Sequence, residues 1–155
     1  MTYETVLFEV ADGIATITLN RPKSFNALNP RMAMELMDIS IACDETPSIR
    51  CVVLTGAGDK AFCSGGDLFA FKADARGLPW VLKQMTTYLH VAISRFSRMD
   101  APLIGAVNGV AAGAGISLAA CVDLAIAADT ARFVSAYTAA GLTPDLNLVS
   151  TGAYP

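Results

Sequence analysis

The fold of this chain is decided by two segments, Lys60-Ala61-Phe62-Cys63-Ser64-Gly65-Gly66-Asp67-Leu68 and Asn108-Gly109-Val110-Ala111-Ala112-Gly113-Ala114-Gly115. Each follows a short apolar run that predicts a buried strand, Cys51–Thr55 before the first and Leu103–Val107 before the second. Both segments are rich in residues with little or no side chain, which leaves backbone N–H groups accessible. Two such groups aimed at one point can stabilise the negative oxygen of an enolate or a tetrahedral intermediate. The two segments therefore indicate acyl chemistry that uses an oxyanion hole and no metal.

The composition is that of one apolar globular domain. The chain has 155 residues, of which 54% are hydrophobic and only 16% are charged. A chain this apolar is expected to cover part of its surface with partner subunits. The net charge of −3 and the lack of a basic run in the sequence argue against binding to nucleic acid or to an anionic membrane.

The cysteines argue against a metal site and against a disulfide framework. Cys43, Cys51, Cys63 and Cys121 show no CxxC spacing, and the chain has one histidine. Reduced thiols of this kind are typical of a cytoplasmic protein. Cys63 lies in the first glycine-rich segment, where it is either a reactive thiol or, as free cysteines more often are, a small apolar filler.

One uncharged stretch, Leu103–Val122, has the length of a membrane helix, and its Gly109 and Gly113 imitate a helix-packing motif of membranes. It nevertheless contains four glycines and six alanines, which contribute little to insertion. We therefore predict a strand, a loop and a short buried helix here. Near the N-terminus, the charged residues Glu9 and Asp12 argue against a signal peptide.

A hairpin and a capped helix are predicted in the first part of the chain. Thr5–Val10 and Ile14–Leu19 are rich in strand-forming residues and are separated by Ala11-Asp12-Gly13. Asn29 and Pro30 then fit the N-cap and the first position of a helix. The buried face of this helix is predicted to contain Met32, Leu36, Ile39 and Cys43.

The remaining elements alternate between strands and helices. Gly56–Asp67 is interpreted as a loop, and a helix is predicted from about Leu78 to Arg98. A shorter helix is expected at Ala114–Ala120, before strands at Leu124–Ala127 and Arg132–Val134. The inward face of the long helix is predicted to contain Val81, Met85, Tyr88, Ala92 and Phe96. Taken alone, this periodicity predicts an α/β fold with a partly parallel sheet.

The run Gly56-Ala57-Gly58-Asp59-Lys60-Ala61 matches a GxGxxG/A pattern, which is typical of dinucleotide binding when it follows a strand. A dinucleotide-binding fold requires a helix to begin at this point. Here Phe62-Cys63-Ser64-Gly65-Gly66 prolongs the loop instead, so dinucleotide binding is disfavoured.

Four groups of residues, in their order and spacing, resemble the crotonase, or enoyl-CoA hydratase/isomerase, family. They are Leu19-Asn20-Arg21-Pro22-Lys23-Ser24-Phe25-Asn26-Ala27-Leu28, Val53-Leu54-Thr55-Gly56, the two glycine-rich segments, and Cys121-Val122-Asp123-Leu124-Ala125-Ile126-Ala127. The similarity extends from Thr5 to Asp145. It implies an α/β spiral of ββα units that lacks its C-terminal helical region, with a core at 1–145 and a divergent tail at 146–155.

The resemblance also implies where an acyl-CoA thioester would bind. In this family the two oxyanion N–H groups come from positions that match Gly66 and Ala114. Lys23 could meet the phosphates of coenzyme A as a mobile ammonium group. No separate cofactor or metal is implied, because coenzyme A is part of the substrate. The residues assigned to coenzyme A and substrate binding are Lys23, Ser24, Phe25, Ala27, Lys60, Ala61, Phe62, Ser64, Asp67 and Leu68.

The acid–base groups of the family distinguish two reactions. Hydratases use two glutamates, and the matching positions here are Ser117 and Tyr137. Neither is a carboxylate base, since a tyrosine titrates near about 10 and a lone serine hydroxyl has no usable proton affinity. Asp145 matches the single Glu or Asp of the Δ3,Δ2-enoyl-CoA isomerases, which implies an isomerase with Asp145 as acid and base. The alternatives are that Asp145 only forms a turn, that the protein is an enoyl-CoA hydratase, and that it is a non-catalytic fragment that binds coenzyme A or subunits.

The residues after Asp145 depart from the family, in which a Gly-Gly step and a helix follow. We therefore expect a truncated or altered-end product that binds coenzyme A weakly and turns over poorly. The apolar composition and the missing C-terminal cover imply exposed hydrophobic area, which usually marks an interface, and the resemblance implies assembly as a trimer or a hexamer.

Overall fold

The computed structural model describes residues 2–136, which form two sheets and the helices that cover them. The strands are β1 Val6–Ala11, β2 Ile14–Leu19, β3 Cys51–Gly56, β4 Ala61–Cys63, β5 Leu103–Val107, β6 Val110–Ala112, β7 Leu124–Ala127 and β8 Arg132–Val134. The helices are α1 Pro30–Asp44, α2 Leu68–Ala73, α3 Leu78–Phe96 and α4 Ala114–Ala120, with a short 3-10 turn at Pro22–Ser24.

The chain winds as a spiral that adds one strand to each sheet at every turn. The larger sheet has the order β1-β2-β3-β5-β7 and the smaller one the order β4-β6-β8. Only β1 and β2 are antiparallel; the pairings β2–β3, β3–β5, β5–β7, β4–β6 and β6–β8 are all parallel. This arrangement confirms the predicted α/β spiral of ββα units.

The first part of the chain follows its local sequence signals. Asp12 and Gly13 have φ of 53° and 80°, the left-handed values that a two-residue hairpin turn requires, so the predicted hairpin is confirmed. The Asn29 side chain accepts a hydrogen bond from the Met32 N–H at 2.8 Å, and Pro30 is the first residue of α1. The four residues predicted on the buried face of this helix are all buried.

Helix α3 packs against α1, and its inward face differs slightly from the prediction. Val81, Met85, Ala92 and Phe96 are buried as expected. Tyr88 is only partly buried, and the neighbouring Leu89 is buried more fully than Tyr88. Because Tyr88 carries a hydroxyl, a position at the edge of the contact lets that group stay near solvent.

The interpretation of Gly56–Asp67 as a loop was wrong in part. This stretch contains β4, and the second glycine-rich segment contains β6, which pairs with β4 in parallel. Three-residue strands are too short to show alternation in sequence, and each is defined by a partner far along the chain. Helix α2 was also missed, although Asp67 before an apolar run is a recognisable N-cap.

The stretch Leu103–Val122 is divided into β5, β6 and α4, which confirms the predicted strand and short helix but places a strand, β6, within the predicted loop. Among residues 2–136, no helix combines the length and apolar character needed to cross a membrane. The run that begins at Gly56 leads into β4 and not into a helix, so the dinucleotide pattern is not realised as such a fold.

A buried carboxylate fastens the N-terminal segment to α1. Glu35 is 1% exposed, and its oxygens accept hydrogen bonds from the Glu4 N–H at 2.8 Å and from the Thr5 N–H and hydroxyl at 2.9 and 2.6 Å. Arg31, one helical turn earlier, donates to it at 2.7 Å. Burial alone would raise the pKa of the Glu35 carboxyl, but these hydrogen bonds outweigh burial and leave the pKa below its ordinary value.

We expect Glu35→Gln to lower the free energy of unfolding at pH 7 by about 2–3 kcal/mol. The substitution turns one of the two carboxylate oxygens, both of which accept hydrogen bonds, into an NH2 group that cannot accept them. A lowered folded-state pKa stabilises the fold above the unfolded value near about 4.3, and this stabilisation is lost as the pH falls through the folded value. Urea unfolding between pH 3 and 7 should therefore show a weaker acid dependence in the variant. The exposed Glu9→Gln is the control; an equal loss in both variants would contradict the role of Glu35.

A second prediction concerns Gly115, where α4 meets the backbone of β4. A Cβ on Gly115 would lie 2.0 Å from the Cys63 carbonyl oxygen. Although alanine favours helices by about 1 kcal/mol, Gly115→Ala should destabilise the fold by more than about 2 kcal/mol through this clash. As a control, Gly77→Ala places its Cβ 3.9 Å from Pro79, without a clash, and should cost only the strain of its positive φ, about 1–3 kcal/mol. Thermal unfolding that ranks Gly115→Ala as the milder change would contradict this contact.

Candidate active site

The two glycine-rich segments meet at Gly65, where the backbones touch without any side chain between them. A Cβ on Gly65 would lie 2.8 Å from the Ala112 carbonyl oxygen and 3.3 Å from the Ala114 amide nitrogen. Gly65 also has a φ of 93°, which side-chain-bearing residues rarely adopt. The structure therefore brings the segment of Gly66 and the segment of Ala114 together at one place.

The hydrogen bonds that hold this junction use neighbours of the two predicted oxyanion donors. The Leu28 N–H donates to the Gly65 carbonyl at 2.7 Å, and the Asp67 N–H donates to the Leu28 carbonyl at 2.8 Å. Ala114 is the first residue of α4, so its N–H has no acceptor within the helix. Among the backbone hydrogen bonds of residues 2–136, none is donated by Gly66 or Ala114.

A cleft of about 300 Å³ opens between residues 22–26 and residues 57–61, and Gly65, Gly66 and Ala114 are not among the residues that line it. Of the predicted coenzyme A-binding residues, Lys23, Phe25, Lys60 and Ala61 line it. Phe25 is 53% exposed, which leaves an aromatic face available to a ligand. The cleft is lined by Pro22, Lys23, Phe25, Asn26, Ala57, Gly58, Asp59, Lys60 and Ala61.

The other predicted binding residues lie around the cleft and differ in accessibility. Ser24 is part of the 3-10 turn, and Leu68 at the start of α2 is 47% exposed. The Ser64 N–H donates to the Phe25 carbonyl at 3.1 Å, which joins the two stretches that were assigned to the ligand. Ala27 and Phe62 are buried, at 7% and 0% exposure, so Phe62 presents no surface to a ligand and Ala27 very little.

Two asparagines that the sequence interpretation missed fix the walls of the cleft. The Asn26 side chain accepts from the Arg21 N–H at 3.0 Å and donates to the Ala57 and Ala61 carbonyls at 3.0 and 2.8 Å. Asn108 accepts from the Gly56 N–H at 3.1 Å and donates to the Gly56 and Gly58 carbonyls at 2.8 and 2.7 Å. A single amide beside a glycine-rich loop is the signal that could have identified them, since such side chains satisfy turn backbone.

Asp67 has its carboxylate oxygens engaged within the protein. One oxygen accepts from the Phe69 and Ala70 N–H groups at 3.1 and 3.0 Å and so caps α2. The other pairs with the Arg21 guanidinium at 2.8 Å. Burial would raise the pKa of the Asp67 carboxyl, but the hydrogen bonds from Ala70 and Arg21 outweigh it and hold the pKa below its ordinary value.

Cys63 is fully buried, and burial raises the pKa of its thiol to about 12 against an opposing hydrogen bond from the Gly65 N–H. A thiol with this pKa is protonated at neutral pH and is a poor nucleophile, which supports the filler interpretation. Within residues 2–136, no group of three or more His, Cys, Asp and Glu side chains is arranged to hold a metal ion.

The three positions assigned to proton transfer differ in what the structure describes. Ser117 is fully buried in α4. Tyr137 and Asp145 lie outside the described residues, as does the tail at 146–155.

The sequence and the fold agree with one family of known proteins. The model of the enoyl-CoA hydratase/isomerase family matches residues 9–152. The chain is 40% identical over 143 residues to the 1,2-epoxyphenylacetyl-CoA isomerase of Escherichia coli K12, which covers 92% of this chain and 54% of that protein. It is 43% identical over 145 residues to a probable enoyl-CoA hydratase of Rhodobacter capsulatus, with coverage of 94% and 54%.

Solved structures that resemble this chain belong to the same family. An enoyl-CoA hydratase from Polaromonas sp. JS666 superimposes with a TM-score of 0.82 at 38% identity and covers 90% of this chain and 54% of that one. The chain thus spans about half the length of the relatives that it matches. Over almost its whole length, this chain belongs to the enoyl-CoA hydratase/isomerase, or crotonase, family.

Proposed function

We propose that this chain binds an acyl-CoA thioester and stabilises the thioester enolate with the N–H groups of Gly66 and Ala114. The observation that carries this proposal is the junction at Gly65, where the two segments touch and neither of these N–H groups donates a backbone hydrogen bond among the described residues. Preorganised donors of this kind act on the charge that develops in the transition state, and each contributes on the order of 3 kcal/mol.

The nucleotide part of coenzyme A fits the neighbouring cleft. Lys23 and Lys60 stand on its rim as exposed ammonium groups, which suits phosphates that approach from solvent. Phe25 offers an exposed ring for apolar contact with the adenine or the pantetheine arm. The cleft adjoins the Gly65 junction through the Ser64–Phe25 hydrogen bond, so the thioester would extend from the cleft towards the two amides.

Within this family we favour double-bond isomerisation. Ser117 and Tyr137 stand at the positions of the two hydratase glutamates, and neither side chain supplies a carboxylate. Isomerisation needs one group: Asp145 would take a proton from C2 of a 3-enoyl thioester, the two amides would hold the dienolate oxygen, and the same proton would return to C4. One relative is named for the isomerisation of an epoxide of phenylacetyl-CoA, which supports an acyl-CoA substrate and not the double-bond shift itself.

Enoyl-CoA hydration is the second candidate, favoured by the 43% identity to a protein named as a probable hydratase. A third candidate, binding of coenzyme A or of subunits without turnover, is favoured by the coverage of about half of the relatives' length.

Lys60→Gln should weaken the binding of a saturated acyl-CoA by about tenfold, because the variant loses one cation that faces the phosphates. Binding of the matching pantetheine thioester, which has no nucleotide, should be unchanged. Isothermal titration calorimetry measures both. Lys72→Gln, at an exposed lysine of α2, is the matched control. The assignment of the cleft fails if the two variants behave alike or if the pantetheine thioester is affected equally.

In a form that carries the C-terminal region of the relatives, Asp145→Asn should reduce isomerisation of a 3-enoyl-CoA by at least about a hundredfold and leave acyl-CoA binding intact, because the amide cannot carry the proton. Asp145→Glu should retain part of the activity. A coupled assay with 3-enoyl-CoA and, separately, 2-enoyl-CoA distinguishes the reactions. Full isomerisation by the Asn variant would show that Asp145 is not the base. If the wild-type protein turns over 2-enoyl-CoA and not 3-enoyl-CoA, the function is hydration. If the wild-type protein binds acyl-CoA and turns over neither substrate, the third candidate is correct.

A further inference from the structure

We infer that Arg21 is a positioning residue that orients and polarises the Gly66 N–H through two intervening peptide groups, with Asp67 as its partner. This inference rests on the proposed function, since it assigns a role to the residues behind the proposed oxyanion donor. It concerns two short stretches, here called the arginine loop, 21–28, and the donor loop, 64–67.

The guanidinium of Arg21 spans both loops. Its Nη1 donates to the Ala27 carbonyl at 2.6 Å, and its Nη2 donates to the Asp67 carboxylate at 2.8 Å. The side chains of Arg21 and Asp67 are 20% and 10% exposed, so the pair lies largely out of water. A planar group with donors in a fixed fork can hold two acceptors at once, whereas a lysine ammonium on a flexible stem cannot reproduce that geometry.

A relay of peptide groups leads from this guanidinium to Gly66. The Ala27 carbonyl and the Leu28 N–H belong to the same peptide group, and they point in opposite directions because the peptide is planar and trans. The Leu28 N–H donates to the Gly65 carbonyl at 2.7 Å. That carbonyl in turn shares its peptide group with the Gly66 N–H, which must therefore point away from Leu28.

Each hydrogen bond in the relay strengthens the next. Donation to a carbonyl oxygen withdraws electron density from the peptide and makes its N–H a better donor, and this effect is larger where the surroundings are apolar. Leu28 is fully buried and Ala27 is 7% exposed. The positive charge of Arg21 is thus transmitted, two peptide groups away, to the N–H that would meet the enolate oxygen.

Both ends of the relay are themselves fixed. The Arg21 N–H is bonded to the Asn26 side chain at 3.0 Å, and the Arg21 carbonyl accepts from the Ser24 and Asn26 N–H groups at 2.9 Å each. On the other side, Asp67 is held by the cap of α2 and by its N–H bond to the Leu28 carbonyl at 2.8 Å. The relay therefore cannot reorient without breaking several of these bonds.

The test compares Arg21→Gln with Arg95→Gln in the full chain. Arg95 pairs with Asp44 at 2.7 Å across α1 and α3, so this control also removes one partly exposed ion pair, but away from the donor loop. Because Arg21→Gln could impair folding, Asp67→Asn is a second variant that keeps one oxygen as N-cap acceptor for α2 and replaces the oxygen that faces Arg21 with an NH2 group, which cannot accept from the guanidinium.

The first readout needs no ligand. Native-state hydrogen exchange of the Leu28 amide should be about tenfold faster in Arg21→Gln, because the peptide group that donates to Gly65 loses its hydrogen bond from Arg21. The increase should be smaller in Asp67→Asn. In Arg95→Gln the exchange rate of the Leu28 amide should change only as far as the global stability of the protein changes. Unchanged exchange at Leu28 in Arg21→Gln and Asp67→Asn would overturn the inference.

The second readout is the infrared carbonyl band of bound butyryl-CoA labelled with 13C at the thioester carbon, which no isomerase or hydratase can convert. Binding to the wild-type chain should move the band to lower wavenumber, and Arg21→Gln should remove about half of that shift at similar affinity. A purely structural role would lower affinity and leave the shift of the bound fraction intact, which would also overturn the inference. If the wild-type chain binds no butyryl-CoA, the proposed function fails, and the exchange of Leu28 alone decides the inference.

Discussion

The site depends on the direct contact of two backbones at Gly65 and Gly115. At Gly65 the first segment lies against the Ala112 carbonyl and the Ala114 amide, and at Gly115 helix α4 lies against the Cys63 carbonyl. Neither contact has room for a methyl group, so the separation of the two segments is set by main-chain atoms. The distance between the segment that contains Gly66 and the segment that contains Ala114 depends on this spacing.

Local signals in the sequence predicted the elements that local contacts determine. The Asp12-Gly13 turn and the Asn29 cap were predictable because their hydrogen bonds involve residues two or three positions away. Strands β4 and β6 were not predictable, since each has three residues and exists only through its pairing with the other. The resemblance to a family supplied the spiral, which periodicity alone left as an unspecified α/β fold.

For the candidate site as well, the sequence indicated some features and did not indicate those that depend on long-range contacts. Glycine-rich character indicated where backbone donors would be accessible, and the family resemblance indicated Gly66 and Ala114. The sequence did not reveal that Asn26 and Asn108 hold the cleft walls or that Arg21 reaches both Ala27 and Asp67. These roles are defined by distances between residues far apart along the chain, and no spacing rule in a single sequence expresses them.

The parallel pairing of the small sheet has a consequence for the order of folding. The β1–β2 hairpin closes across two residues, whereas β4 joins β6 by pairing residue 61 with residue 110. Closing a loop of that length costs more chain entropy than closing a hairpin, and parallel strands contribute nothing until the loop is closed. The hairpin can therefore form early from nearby residues, while the backbone junction at Gly65 requires contacts across a long loop.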